Sequence, residues 1–383
     1  MGLGAPRWRS PSTISIAWLM RVVARPIATR HPASTPAIDP LPSLGYLSWT
    51  DGEVLATEES VVVFVSALLA AAGAGAQVLG RTDCGQSSRS KYVLISPCRD
   101  EAEYMRETLN SVVNQSIQPC KWIIVDDGST YSTPEILAEF RTKHNWLEVV
   151  TRSNRGRRSV GPGVIEAFYA GYDTINPEDY DYICKLDLDL RLPPGYFEIL
   201  MDRMEANHRI ATCSGKAYFE EDGRLVNERH GDDMSLGMTK LYRVSCFKAI
   251  GGFVREVMWD GIDCHRCRMN SWIACSWNEP ELRFVHLRPM GSSQQSIYVG
   301  RMRHGSGQYF MGTGFLFMAA SAISRMNQKP YVLGSLAMLW GWMKSALARK
   351  PRYEDPAFRV FLRRYQRRVL LLGKQRALEE LHS

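Results

Sequence analysis

The chain has 383 residues, 45% of them hydrophobic and 23% charged, with 47 Lys and Arg against 40 Asp and Glu. That composition excludes a disordered chain, and the length is ample for one large domain with appendages or for two domains. Nine scattered cysteines form no pairing framework of the small secreted type, so reduced thiols in a cytosolic setting are the default.

Residues 1–60 read as a disordered or artefactual N-terminal arm: the first fifty are rich in Pro, Ser, Ala and Arg and carry one acidic residue, Asp39. Residues 61–80, "VVVFVSALLAAAGAGAQVLG", hold no charge and are long enough to span a bilayer, although Ala and Gly make them weakly hydrophobic; a soluble apolar helix is the alternative. Acidic residues before the segment and Arg81, Arg89 and Lys91 after it would leave everything downstream in the cytoplasm.

From Lys91 the pattern is regular. The apolar runs "YVLIS" (92–96), "WIIVD" (122–126), "LEVV" (147–150) and "YDYICKLD" (180–187) alternate with helix-like stretches at Glu101–Gln115, Thr133–Arg141 and Gly163–Asp173. Strands separated by helices imply right-handed crossovers and a mostly parallel sheet, an α/β fold whose ligands sit beyond the carboxyl ends of the strands.

Those ends carry the chemistry. Asp126 and Asp127 close an apolar strand and precede Gly128, a place from which a carboxylate can accept from a nucleobase N–H or a ribose hydroxyl. In an extended strand Lys185, Asp187 and Asp189 share one face while Leu186, Leu188 and Leu190 take the other. Two carboxylates so close repel unless a cation lies near them, and hard oxygen ligands suit Mg2+ or Mn2+ together with the phosphates of a substrate. Lys185 and the arginines 155, 157 and 158 could hold the same anion, although a solvated loop explains the arginines equally well. No GxxxxGK[ST] is present, so a P-loop is excluded.

Further on, Cys264-x-x-Cys267 with His265, Cys275 and His286 raises a zinc site, but the second close ligand pair of a zinc ribbon is missing. Residues 291–383 read as a helical, basic C-terminal extension. Two apolar runs, Phe310–Ser324 and Tyr331–Met343, each too short to span a bilayer, precede eleven basic residues between Lys344 and Arg376. Apolar runs beside a cationic segment fit an anchor lying on an anionic membrane surface as well as they fit buried helices.

Three stretches in order, "SPCRDEAEYMRETLNSVVNQS", "WIIVDDGSTYST" and "KLDLDLRLPP", resemble the inverting family-2 glycosyltransferases of bacterial polysaccharide and cell-envelope synthesis, over roughly residues 90–290. The resemblance implies a GT-A fold: a Rossmann-like, mostly parallel sheet flanked by helices. It implies an enzyme moving a sugar from a UDP-, GDP- or dTDP-sugar to a glycan or lipid-linked acceptor, with Mg2+ or Mn2+, at the cytoplasmic face of a membrane and without nucleic acid.

By the same resemblance Pro97, Glu101, Asp126 and Asp127 line the nucleotide pocket and Asp187 meets the donor diphosphate, which Lys185 and Arg157 could help to hold. Asp187, Asp189 and His286 become the metal set, and Arg288 a phosphate contact. The family's base, an aspartate opening a helix, falls in "MWDGIDCHRCRMNSW" on Asp260, with Asp263 one turn away as runner-up; Trp259 replaces the usual Glu. Gly231, Asp232 and Asp233 fit a loop near the acceptor, and the Gln-x-x-Arg-Trp signature of processive synthases is absent. A donor-binding scaffold without transfer, and a sugar nucleotidyltransferase, are the competing readings.

Overall fold

The computed structural model describes residues 90–154, 156, 161–288, 296–327 and 330–382. The chain divides into two units, Met1–Arg81 and Thr82–Ser383, and every described residue lies in the second. The apolar segment 61–80 and the arginines 155, 157 and 158 lie outside the described residues.

In chain order the strands are β1 (Tyr92–Cys98), β2 (Lys121–Asp126), β3 (Leu147–Thr151), β4 (Tyr182–Leu186), β5 (Leu190–Arg191), β6 (Ile210–Ser214), β7 (Lys216–Glu221), β8 (Arg224–Asn227), β9 (Thr239–Arg243), β10 (Ile273–Ser276) and β11 (Arg283–His286). The helices are α1 (Met105–Val113), α2 (Thr133–Lys143), α3 (Pro162–Tyr172), α4 (Tyr196–Ala206), α5 (Val244–Ala249), α6 (Trp259–Met269), α7 (Ile297–Met311), α8 (Phe315–Ser324), α9 (Tyr331–Leu347), α10 (Pro356–Leu372) and α11 (Lys374–His382).

Seven strands form the main sheet in the order β10-β6-β9-β4-β1-β2-β3, with β9 alone antiparallel to its neighbours. Alternate residues of β1 serve two cores. Tyr92 and Leu94 pack with Leu109, Ile136 and Leu200, while Val93 and Ile95 pack with Ile165, Phe168 and Phe247. Burial on both faces is why the strands read as unbroken apolar runs. Chain order reverses at β1: β2 and β3 extend one way and β4 lies on the other side, which opens the crevice of a doubly wound sheet between the ends of β1 and β4.

A second sheet, β5-β11-β7-β8, caps one side, with β11 parallel to β7 and antiparallel to β5. The expectation of an α/β, mostly parallel sheet flanked by helices therefore holds. Five C-terminal helices follow. Where α7 crosses α9, a Cβ on Gly305 would lie 1.8 Å from the Met338 carbonyl and one on Gly341 would lie 2.0 Å from that of Met302, so glycines set the spacing of the pair. Among the described residues no helix is long and apolar enough to cross a membrane.

Candidate active site

The turn after β2 builds the first part of the crevice. The Asp126 carboxylate accepts from the Ser129 N–H at 2.8 Å, an Asx turn that fixes it, and Asp127 Oδ1 pairs with Arg152 at 2.9 Å. Gly128 has φ +75° and a Cβ there would fall 2.4 Å from the Asn154 Cα, so only glycine lets the loop after β3 pass this close. Arg99 ties the two together, donating to the Asp127 carbonyl at 2.6 Å and to Asn154 Oδ1 at 2.7 Å. Pro97, half-buried, stands in register with Val125 on the neighbouring strand.

From the adjoining loop, buried Glu101 forms an ion pair with Arg288, whose guanidinium lies 4.9 Å from the centre of the Tyr104 ring. The same arginine reaches 3.8 Å from Asp189 Oδ2, so it joins the expected nucleotide region to the paired aspartates.

At the end of β4 the two carboxylates are unlike. Asp187, about a third exposed, pairs with the buried Lys185 ammonium. Partial burial, with Asp189 nearby, raises its pKa against the pull of Lys185. Asp189 is more enclosed. Burial works to raise its pKa, but His286 and Arg288 outweigh that and hold it below the usual carboxylate value. His286 stands between two carboxylates, with Nδ1 2.8 Å from Glu228 Oε1 and Nε2 3.6 Å from Asp189 Oδ2; against its burial they push its pKa up to about 9. Glu228 is correspondingly held at about 2, its own burial overcome by His230 and His286. Asp189 Oδ1 is buried and accepts no hydrogen bond among the described residues.

Helix α6 supplies the acid expected as base. Asp260 stands in its first turn, and its Oδ2 lies 3.2 Å from where a Cβ on Gly237 would be. The Gly237 carbonyl accepts from Lys185 Nζ at 2.9 Å, so one glycine separates Asp260 from the lysine paired with Asp187. Asp263 is different: it is 1% exposed, both its oxygens accept from Lys240 Nζ, at 2.7 and 2.5 Å, and it also accepts from the Tyr242 hydroxyl. Lys240 donates in addition to the Asp260 carbonyl at 2.9 Å, so this buried pair underpins the turn that carries Asp260.

The expected acceptor loop is tied down by cations: Asp232 lies 2.8 Å from Lys216 Nζ, and Asp233 lies 3.5 Å from Arg268 and 2.5 Å from Lys374. Cys264 and Cys267 are buried in the cores, and no group of three or more His, Cys, Asp or Glu side chains suited to hold a metal occurs among the described residues, which gives the zinc reading no support.

Sequence reading missed Glu228, Lys240 and Arg152. For Lys240 a signal existed: in "TKLYR" a lysine stands inside a run otherwise fit for a central strand, and a charge there demands a buried partner. Glu228 follows the short strand β8 and carries no such mark.

A doubly wound sheet whose acidic strand ends meet at the switch point, beside a helix opening on an aspartate, defines the class: a GT-A domain. Residues 93–273, just under half of the chain, match the model of glycosyl transferase family 2. EpsH of Bacillus subtilis is 27% identical over 124 residues, 32% of this chain and 33% of EpsH. The poly-beta-1,6-N-acetyl-D-glucosamine synthase of Staphylococcus epidermidis is 26% identical over 132 residues, 34% of this chain and 29% of the synthase. The matched stretches thus span about a third of those relatives. Among solved structures, the mannosyltransferase PcManGT from Pyrobaculum calidifontis in complex with GDP-Man and Mn2+ has a TM-score of 0.43 at 16% identity, over 84% of this chain and 95% of that one.

Proposed function

We propose that the protein is an inverting glycosyltransferase that moves a sugar from a nucleoside-diphosphate-sugar donor to a hydroxyl of a glycan or lipid-linked acceptor. The carrying observation is the adjacency of Asp260 to the paired aspartates through Gly237 and Lys185, which brings a base and an anion-handling group to one crevice. The match to the family model supports the same reading, and the likeness to a polysaccharide synthase favours a glycan product.

In this mechanism Asp126 and Asp127 accept from the nucleoside, with Pro97 and Glu101 lining its pocket. Asp260 takes the proton of the acceptor hydroxyl as that oxygen attacks the anomeric carbon; a positioned base contributes typically about 10²- to 10⁴-fold. One displacement inverts the centre. Lys185 and Arg288 bear on the departing diphosphate, the electrostatic part of the catalysis.

The unpartnered Asp189 Oδ1 fits a divalent cation, Mg2+ or Mn2+, held by Asp189 with Asp187. His286, held between Glu228 and Asp189 with its pKa pushed up to about 9, does not complete a three-ligand group among the described residues, so the donor's phosphates would supply the remaining ligands. When bound, the ion neutralises charge developing on the diphosphate. The rival readings, a scaffold that binds donor without transfer and a nucleotidyltransferase, give no role to an aspartate at the position of Asp260.

The protein works, on this reading, as a peripheral protein at the inner face of the cell membrane. Exposed Leu316, Ile323, Leu333 and Trp340 on α8 and α9 support contact with lipid, and segment 61–80 would add an anchor if it spans.

The test is calorimetric titration of the full chain with UDP, GDP, dTDP and CDP, with and without Mn2+, for wild type and Asp189→Ala. One nucleotide whose binding needs both the metal and Asp189 is the expected result; metal-dependent binding that survives Asp189→Ala sinks the metal assignment. Asp260→Asn should bind that donor normally and lose transfer, whereas retained turnover moves the base elsewhere.

A further inference from the structure

The second sheet brings three side chains together. Asp189 stands immediately before β5, His286 ends β11 and Glu228 follows β8, with β7 between β8 and β11. Their backbones are pinned: His286 pairs with Leu190 across β11 and β5, the Leu287 N–H donates to the Asp189 carbonyl at 2.8 Å, and the Glu228 N–H donates to the Ala217 carbonyl at 3.0 Å. What the sheet leaves free is the turn of the imidazole ring, because the second side-chain torsion of histidine is broad.

Glu228 removes that freedom. Its side chain is 4% exposed and reaches past β7, so that Oε1 lies 2.8 Å from His286 Nδ1. An ionised carboxylate only accepts, so the Nδ1–H is the donor of this bond. The opposite ring nitrogen is thereby aimed at Asp189, with Nε2 3.6 Å from Oδ2. The second Glu228 oxygen faces His230 Nε2 at 3.5 Å, which holds the carboxylate from its other side.

Asp189 shows what this aim achieves. Arg288 approaches the same oxygen, 3.8 Å from Oδ2, and is itself paired with Glu101. Both neighbours therefore stand on Oδ2, each held from behind by a second carboxylate. Oδ1 is buried and accepts no hydrogen bond among the described residues. A buried carboxylate oxygen left open is costly unless a ligand fills it.

We infer that Glu228 is a positioning residue for the divalent cation: through His286 it fixes the Asp189 carboxylate so that Oδ1 stays open toward the ion. This rests on the metal-assisted transfer proposed above and adds to it a residue that acts through another side chain. Outer partners of this kind typically carry about 10- to 100-fold in metal affinity.

The test measures Mn2+ binding to the full chain, from the electron paramagnetic resonance signal of the free ion, beside whichever of UDP, GDP, dTDP and CDP binds wild type. Glu228→Ala should raise the Mn2+ dissociation constant by about 10- to 100-fold. Excess Mn2+ should then restore wild-type nucleotide affinity, because the site is intact and only harder to fill. A nucleotide affinity that stays low at saturating Mn2+ would mean general damage, and the positioning role falls. In the His286→Ala background the same Glu228→Ala change should cost nothing more, since the link is already cut; losses that add would show Glu228 acting without His286 and overturn the inference. Unchanged Mn2+ affinity in Glu228→Ala overturns it too, with the sugar-transfer reading intact. If wild type binds no Mn2+ with any of the four nucleotides, the metal reading falls and the positioning role with it. Should Glu228→Ala fail to fold, Glu228→Gln keeps the shape and carries the same cycle: a loss of Mn2+ affinity that vanishes in the His286→Ala background supports the role, and no loss overturns it.

Discussion

Asp260 and Asp263 are three residues apart on α6, yet one stands at the crevice and the other is buried against Lys240 and Tyr242. Burial raises the Asp263 pKa while Lys240 opposes it. Removing its charge leaves the lysine buried without a counter-charge, a change that costs about 3–5 kcal/mol. Asp263→Ala should therefore lower stability by about that much in urea denaturation, whereas Asp260→Asn should shift it by under about 0.5 kcal/mol. Equal effects would mean that the two acids share one environment. The resemblance ranks Asp260 first with Asp263 as runner-up, but the physical reason is not local, because the partner that separates them, Lys240, comes from β9, 23 residues before Asp263. Asp126, Asp127, Asp187 and Asp189 were easier to find, since each follows an apolar strand whose carboxyl end must face the crevice.

At the scale of elements, strand positions were legible and partners were not. The runs at 92–96 and 122–126 fall within β1 and β2, where burial on both faces leaves an almost unbroken apolar run, and 147–150 falls within β3, an edge strand on which Glu148 is exposed. The insertion of β9 antiparallel between β4 and β6, and the whole second sheet of two- to six-residue strands, come from long-range pairing that local periodicity does not encode. In the helical region the glycines of α7 and α9 carry the constraint. A methyl group at Gly305 would collide with the Met338 backbone, and backbone cannot swing aside as a flexible side chain can. Gly305→Ala should destabilise by about 1–3 kcal/mol despite the better helix propensity of alanine, read as a lowered melting temperature. A rise in melting temperature would show that the helices separate at no cost.

Over the whole molecule, the C-terminal helices and the sugar-transfer crevice are linked through charge as well as packing. His304 on α7 is depressed to about 4: burial disfavours its charged form, Arg325 and, less, Arg301 repel it, and Asp260 pulls the other way. The sign of the consequence follows from the proton balance. Unfolded, the imidazole takes a proton as pH falls through its ordinary 6.5; folded, it resists until about 4, so in that window the unfolded chain binds more protons and stability declines as pH falls. The full difference would be near 3 kcal/mol, and discounting for partial exposure leaves about 1–2 kcal/mol lost between neutral pH and pH 4. His304→Gln should remove this part of the acid sensitivity, so that the difference in unfolding free energy between variant and wild type changes across that range and levels off above it. Urea titrations at a series of pH values measure that difference directly. A difference that stays flat would place His304 in a setting where its proton is bound alike in both states, and the acid sensitivity of the fold would then rest on its paired carboxylates alone.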